Sequence, residues 1–316
     1  MHWLSLIAST ALATASAADA QVAAPIAAAA LADETVEVLQ LQDELYSRMT
    51  VPVMINGQGP FNFMIDTGAQ ASVLSHALAD RLQLTERESA TLVGMASERR
   101  VETALIDEIS FGSGIYRDGV AALVEGDNIG GADGILGLDS LQDRRVLIDF
   151  ENRQMEVAHP GERQSNRGFD IVVRAQRVAG QLIIARAVID GVRTAVIVDT
   201  GAQGSIGNAA LERRLRSRRD NAAIRMTDIN GVEALGAIRY ARSLVMDEAS
   251  INNFPVTFAE SPTFAAMGLE DEPAMILGMS ELRLFRRVAI DFASRRVLFD
   301  LPANTRLQET RGWGQL

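Results

Sequence analysis

The sequence predicts an all-β chain built of two similar lobes with a few short helices. Three observations carry that prediction. The body is written twice: an apolar hairpin running into Asp-Thr-Gly-Ala-Gln spans residues 51–70 and recurs at 187–203. Each copy is followed by Ile-Leu-Gly and then by Arg-Arg-Val and Ile-Asp-Phe, at offsets of 133, 141 and 142 residues between the halves. A near-constant offset with small drifts is what duplication followed by loop insertion leaves. Helical patterning is sparse, confined to 75–82 and 209–215, while short β-like runs such as 120–124 and 256–258 fill the space between.

At the N-terminus, residues 4–15 are apolar but shorter than the roughly 18 residues of a membrane span. They end in the small-x-small triplets Ala15-Ser16-Ala17 and Ala18-Asp19-Ala20. This reads as a signal peptide over 1–20, with His2 alone supplying positive charge, and an uncleaved anchor or a mis-called start site as the other readings. An Ala-rich linker over 21–40 follows. The first lobe is placed at 41–158, a polar linker at 159–168, the second lobe at 169–305 and a tail at 306–316. Export to the periplasm or beyond is expected, with no stable membrane span.

Within each lobe the hairpin is signalled by its turn. Asn56-Gly57 and Asp190-Gly191 supply the positive φ that a two-residue turn requires. Gly137 and Gly278, in the two Ile-Leu-Gly elements, would let a later strand pass tightly behind each Asp-Thr-Gly loop. Ser72 and Ser205 each lie six positions after the loop aspartate and read as supporting hydroxyls. Asp149 and Asp291, in Ile-Asp-Phe, read as strand ends entering turns. His76 reads as a helix-surface residue, having no counterpart in the second half.

Composition narrows the chemistry. All 30 basic residues are Arg, so lysine Schiff bases and a phosphate-loop lysine are excluded. There is no Cys and only three His, which removes thiol nucleophiles and leaves no plausible zinc site. The formal charge of −11 argues against nucleic acid as a partner. The Arg-rich run at 213–219 reads as the solvated face of a short helix. No metal and no cofactor are expected; carboxylates, hydroxyls and backbone amides remain.

Two carboxylates suffice for one demanding reaction. A water held between them attacks a peptide carbonyl when one carboxylate takes its proton and the other, protonated, polarises the carbonyl. Close carboxylates cannot both ionise cheaply, so they share a proton and titrate apart. Asp66 and Asp199 are the candidates, one per lobe. Gly68 and Gly201 would let backbone amides approach the carboxylate oxygens.

The paired Asp-Thr-Gly-Ala elements, each with its own Ile-Leu-Gly, resemble the aspartic peptidases, and the lobe size and the Ala resemble the retropepsin-like branch. The resemblance covers roughly residues 48–302. It implies two β-barrel lobes, a peptide-bond hydrolase acting on polypeptides, and a cleft shared by both lobes. It implies that Thr67 and Thr200 lock the two loops together. Ala69 and Ala202 stand where the pepsin branch usually carries a hydroxyl residue. The resemblance also implies flaps, for which Gly94 and Met95 in one half and Asn230 and Gly231 in the other are candidates. Their sequences differ, so an asymmetric cleft is expected. A single-chain pseudo-dimer is favoured over a homodimer. A silent peptide-binding or assembly module on the same fold, and sites formed between chains, remain as alternatives.

Overall fold

A computed structural model of the chain describes residues 5–7, 11–13, 50–112, 114–158, 165–178, 180–215 and 223–302. The expected linker at 21–40, most of the polar linker at 159–168, the tail at 306–316 and part of the Arg run lie outside the described residues. Strands dominate. The five described α-helices span only four to six residues each.

The all-β expectation holds, and the repeat is the reason. In the first half, Thr50–Ile55 and Gln58–Ile65 form a hairpin, with φ of 48° at Asn56 and 74° at Gly57. In the second, Gln181–Ile189 and Val192–Val198 do the same, with φ of 48° at Asp190 and 85° at Gly191. The returning strand of each hairpin then pairs in parallel with the Ile-Leu-Gly strand: Ile65 opposite Leu136, Val198 opposite Leu277. The ladder continues by one bond onto each loop, Asp66 N–H donating to Leu136 O at 3.0 Å and Asp199 N–H to Leu277 O at 3.1 Å.

Each half builds one large sheet, of eight and nine strands, each count including one short strand from residues 5–13. A third sheet of five strands is built from both halves. At its centre Arg145–Asp149 runs antiparallel to Arg287–Asp291, so the two duplicated Ile-Asp-Phe strands pair with each other. The main apolar core runs through this junction, from Phe63 and Ile106 in one half to Ile290 and Phe299 in the other. Asp149 and Asp291 both accept turn amides, from Asn152 and Ser294 at 2.9 and 2.8 Å. Asp291 does more. Arg145 donates to its Oδ2 through Nε at 3.1 Å and Nη2 at 2.8 Å, and also holds the Ser165 carbonyl. Burial alone would raise the Asp291 carboxyl, but the Ser294 and Arg145 bonds bring it below its ordinary value.

Two strands lie inside the expected signal segment. Ser5–Ile7 pairs in parallel with residues 91–93, and Ala11–Ala13 pairs antiparallel with residues 226–228. Among the described residues no helix is long and apolar enough to cross a membrane.

Candidate active site

Both Asp-Thr-Gly loops leave the end of a buried strand and meet across the junction between the halves. Their threonines interlock with near two-fold symmetry. Thr67 Oγ1 donates to Val198 O at 2.9 Å and accepts from Thr200 N–H at 3.2 Å. Thr200 Oγ1 donates to Ile65 O at 2.6 Å and accepts from Thr67 N–H at 3.1 Å. Each hydroxyl uses both its donor and an acceptor pair on the opposite loop. The loops therefore hold one another, in addition to being anchored each in its own half.

Asp66 and Asp199 are both 0% exposed. Oδ1 of Asp66 accepts from Gly68 N–H at 2.7 Å and Ala69 N–H at 3.0 Å. Oδ1 of Asp199 accepts from Gly201 N–H at 2.8 Å and Ala202 N–H at 3.2 Å. The Oδ2 atoms are buried with no donor from outside the pair. Each carboxyl lies across the glycine of the other loop. A Cβ on Gly68 would come within 2.6 Å of Asp199 Oδ1, and one on Gly201 within 2.7 Å of Asp66 Oδ1.

Burial is the largest influence on both carboxyls, and it raises both. For Asp66 the opposite carboxyl and the Gly68 and Ala69 amides pull back down. For Asp199 the charge of Asp66 pushes further up, to well above the ordinary value, against the Gly201 and Ala202 amides. Two carboxyls this close cannot both ionise cheaply, so the pair shares one proton and titrates as a unit.

Behind each loop the serine and the Ile-Leu-Gly glycine form a brace. Gly137 N–H donates to Ser72 Oγ at 3.1 Å, and Gly278 N–H to Ser205 Oγ at 3.3 Å. A Cβ on either glycine would strike the loop backbone, at Ala71 O or Gly204 O, 2.5 Å away. Each serine in turn donates to a carboxyl that sequence reasoning missed, half-buried in Asp139 and buried in Glu281. Ser72 Oγ donates to Asp139 Oδ1 at 2.8 Å, and Ser205 Oγ to Glu281 Oε2. The signal was present but out of register: Asp139 lies two positions after its glycine and Glu281 three.

Burial pushes the Glu281 carboxyl up to about 7 from 4.5, against the Ser205 bond. The folded protein thus holds this proton more tightly than the unfolded chain. Its contribution to stability is full below 4.5 and is lost as pH rises through about 7. Glu281→Gln should flatten that loss, by on the order of 3 kcal/mol across the window. Denaturant unfolding of both proteins at the two ends of the window measures it. Equal pH dependence in the two would contradict it.

The flap candidates fall in the turns of two long hairpins. Gly94 and Met95 join Arg87–Val93 to Glu98–Phe111; Asn230 and Gly231 join Ala223–Asp228 to Glu233–Met246. The tips are bonded to each other through Asp228. Its Oδ2 accepts from Ser97 Oγ at 2.7 Å and Ala96 N–H at 3.2 Å, while Oδ1 holds its own turn through the Asn230 and Val232 amides. Asn230 Nδ2 donates to Ser97 Oγ at 3.0 Å and Leu92 O at 3.3 Å. Met95 belongs to an apolar cluster made mostly by the second half, with Ile183 and Ile197, and Ile229 to one made mostly by the first, with Val73 and Ile135. The two tips differ in sequence and in contacts.

Gln181 also escaped sequence reasoning, because it belongs to no motif. It reaches from the second half to Gly68, its Nε2 donating to the Gly68 carbonyl at 2.5 Å. His76 opens the His76–Arg81 helix, half-buried, behind the Ser75 cap. Among the described residues no group of three His, Cys, Asp or Glu side chains is placed to hold a metal ion.

Two family models match the chain in tandem. One, described as gag-polyprotein putative aspartyl protease, matches residues 51–143; the other, described as aspartyl protease, matches residues 185–280. The two stretches contain Asp66 and Asp199 respectively. No curated protein matches the sequence.

Proposed function

We propose that this chain, which belongs to the retropepsin-like aspartic peptidase family, is an exported endopeptidase whose single site is shared between its two lobes. The observation that carries this reading is the reciprocal threonine lock, which holds Asp66 and Asp199 side by side within one chain. Export rests on the apolar stretch and small-x-small triplets of the first 20 residues. The lobes are taken at 41–158 and 169–305, and the functional unit is one chain acting as a pseudo-dimer.

In the proposed reaction, ionised Asp66 takes a proton from a water lying between the carboxyls. Protonated Asp199 donates a hydrogen bond to the scissile carbonyl. The water oxygen bonds to the carbonyl carbon, and charge moves onto the carbonyl oxygen, which takes the Asp199 proton. Collapse re-forms the carbonyl and breaks the C–N bond. The leaving nitrogen takes the proton held on Asp66, and the diol proton returns to Asp199. No covalent intermediate and no metal is needed. Thr67, Thr200, Gly68, Gly201, Ala69 and Ala202 keep the carboxyls in place; Ser72, Ser205, Gly137 and Gly278 brace the loops from behind. Gly94, Met95, Asn230 and Gly231 cover the site and exclude water.

The test is cleavage of an unstructured polypeptide. It should be blocked by a transition-state analogue bearing a hydroxyl at the scissile position and should survive a chelator. Loss on chelation, restored by zinc, would remove the assignment.

The pH dependence follows from the same geometry. Burial raises both carboxyls, and Ala69 and Ala202 offer no hydroxyl to stabilise the charged form. The kcat/KM profile, which reports the free enzyme, should extend from mildly acidic to near-neutral pH. An Ala69→Ser, Ala202→Ser double variant adds a donor to each loop and should move the profile towards acid. A wild-type optimum confined to strongly acidic pH, or an unmoved variant, would contradict this.

A further inference from the structure

Gln181 opens the Gln181–Ile189 strand and is 1% exposed. Its amide is fixed by one bond: Nε2 donates to Gly68 O at 2.5 Å. The opposite orientation would set oxygen against oxygen. Its Oε1 therefore faces away from Gly68, buried and with no donor. Leaving such an acceptor unpaired is costly, and folded proteins seldom keep one without a use.

The position of this acceptor supplies a use. Asp66 Oδ1 holds the Gly68 N–H, the Asp199 carboxyl lies across the Gly68 Cα, and Gln181 holds the Gly68 carbonyl. The three residues that touch Gly68 in this way each carry one buried oxygen with no donor from the rest of the protein: Asp66 Oδ2, Asp199 Oδ2 and Gln181 Oε1. On the peptidase reading the first two serve the attacking water and the scissile carbonyl. The third matches the donor that an extended peptide carries at every residue, its backbone N–H.

We propose that Gln181 is a substrate-binding residue whose Oε1 accepts a backbone N–H of the peptide close to the scissile bond. The inference rests on the peptidase reading above and adds a recognition element to it. The Nε2 bond to Gly68 orients the acceptor and ties it to the loop that carries Asp66. A peptide would be gripped and aligned by the same group, whatever its side chains.

The test uses a cleavable peptide in which each backbone N–H near the scissile bond is replaced, one at a time, by an ester oxygen. At one position the replacement should lower wild-type kcat/KM by about threefold to tenfold, the worth of one hydrogen bond. Gln181→Met should lower kcat/KM for the parent peptide by a similar factor, mainly through KM. It should lose no more when that one N–H is replaced, while penalties at other positions persist. A purely structural role for Gln181 would scale all positions alike. If Gln181→Met does not fold, Gln181→Ala makes the same comparison. Ester penalties identical in wild type and variant at every position overturn the inference. Cleavage that survives Asp66→Asn overturns the peptidase reading instead, so the two failures are separable.

Discussion

Asp66→Asn and Asp199→Asn should each lower kcat/KM for a cleavable peptide by at least about 10³-fold, towards the upper range for loss of an acid–base group. The two substitutions fail for different reasons. Asn at 66 cannot take the water proton, and Asn at 199 cannot pass a proton to the carbonyl oxygen. Neither should unfold the chain. The side-chain oxygen of Asn can still accept from the Gly68 and Ala69 amides, or from Gly201 and Ala202. A neutral amide is also less costly to bury than a charge. Thermal unfolding should therefore be unchanged or slightly raised while activity vanishes. An active Asp199→Asn would mean that one carboxylate suffices, contrary to the shared-proton account.

Gly68→Ala and Gly201→Ala carry the second large effect, and it is steric. The Cβ would fall inside contact distance of the opposite carboxyl. That carboxyl cannot yield, because two backbone amides hold its Oδ1. The loops must separate instead, straining the threonine lock. A loss of about 10²-fold or more in kcat/KM is expected, since small displacements of reacting groups cost that much. Destabilisation of about 1–3 kcal/mol should accompany it, as for an overpacked core. Gly204→Ala is the control: nothing lies within 4 Å of its added Cβ, so activity and stability should hold. Near-normal activity in Gly68→Ala would show that the carboxyls are not packed against the opposite loop.

Most of the fold was legible because it was written twice. The Asn-Gly and Asp-Gly turns, the Asp-Thr-Gly loops and the Ile-Leu-Gly strands are contiguous motifs, and duplication distinguishes them from chance tripeptides. What escaped is long-range and depends on single side chains. The Ile-Asp-Phe strands read as strands, yet nothing local says that Arg145–Asp149 pairs with Arg287–Asp291, or that Arg145 reaches Asp291. Asp139 and Glu281 brace equivalent serines from unequal positions, so comparing the halves residue by residue does not align them. Asp228 looks like an ordinary turn acid until Ser97, 131 residues earlier, is found against it. Gln181 has no motif at all; only its contact with Gly68 and its unpaired oxygen single it out.

On the proposed reading one chain makes one complete site from Asp66 and Asp199. Mixing Asp66→Asn chains with Asp199→Asn chains in equal amounts tests it most directly, because each variant retains one intact carboxyl. If both carboxyls of a site come from a single chain, no chain in the mixture is complete and peptide cleavage stays at the level of either variant alone. Recovery of activity in the mixture would show that Asp66 of one chain meets Asp199 of another, and would contradict the account.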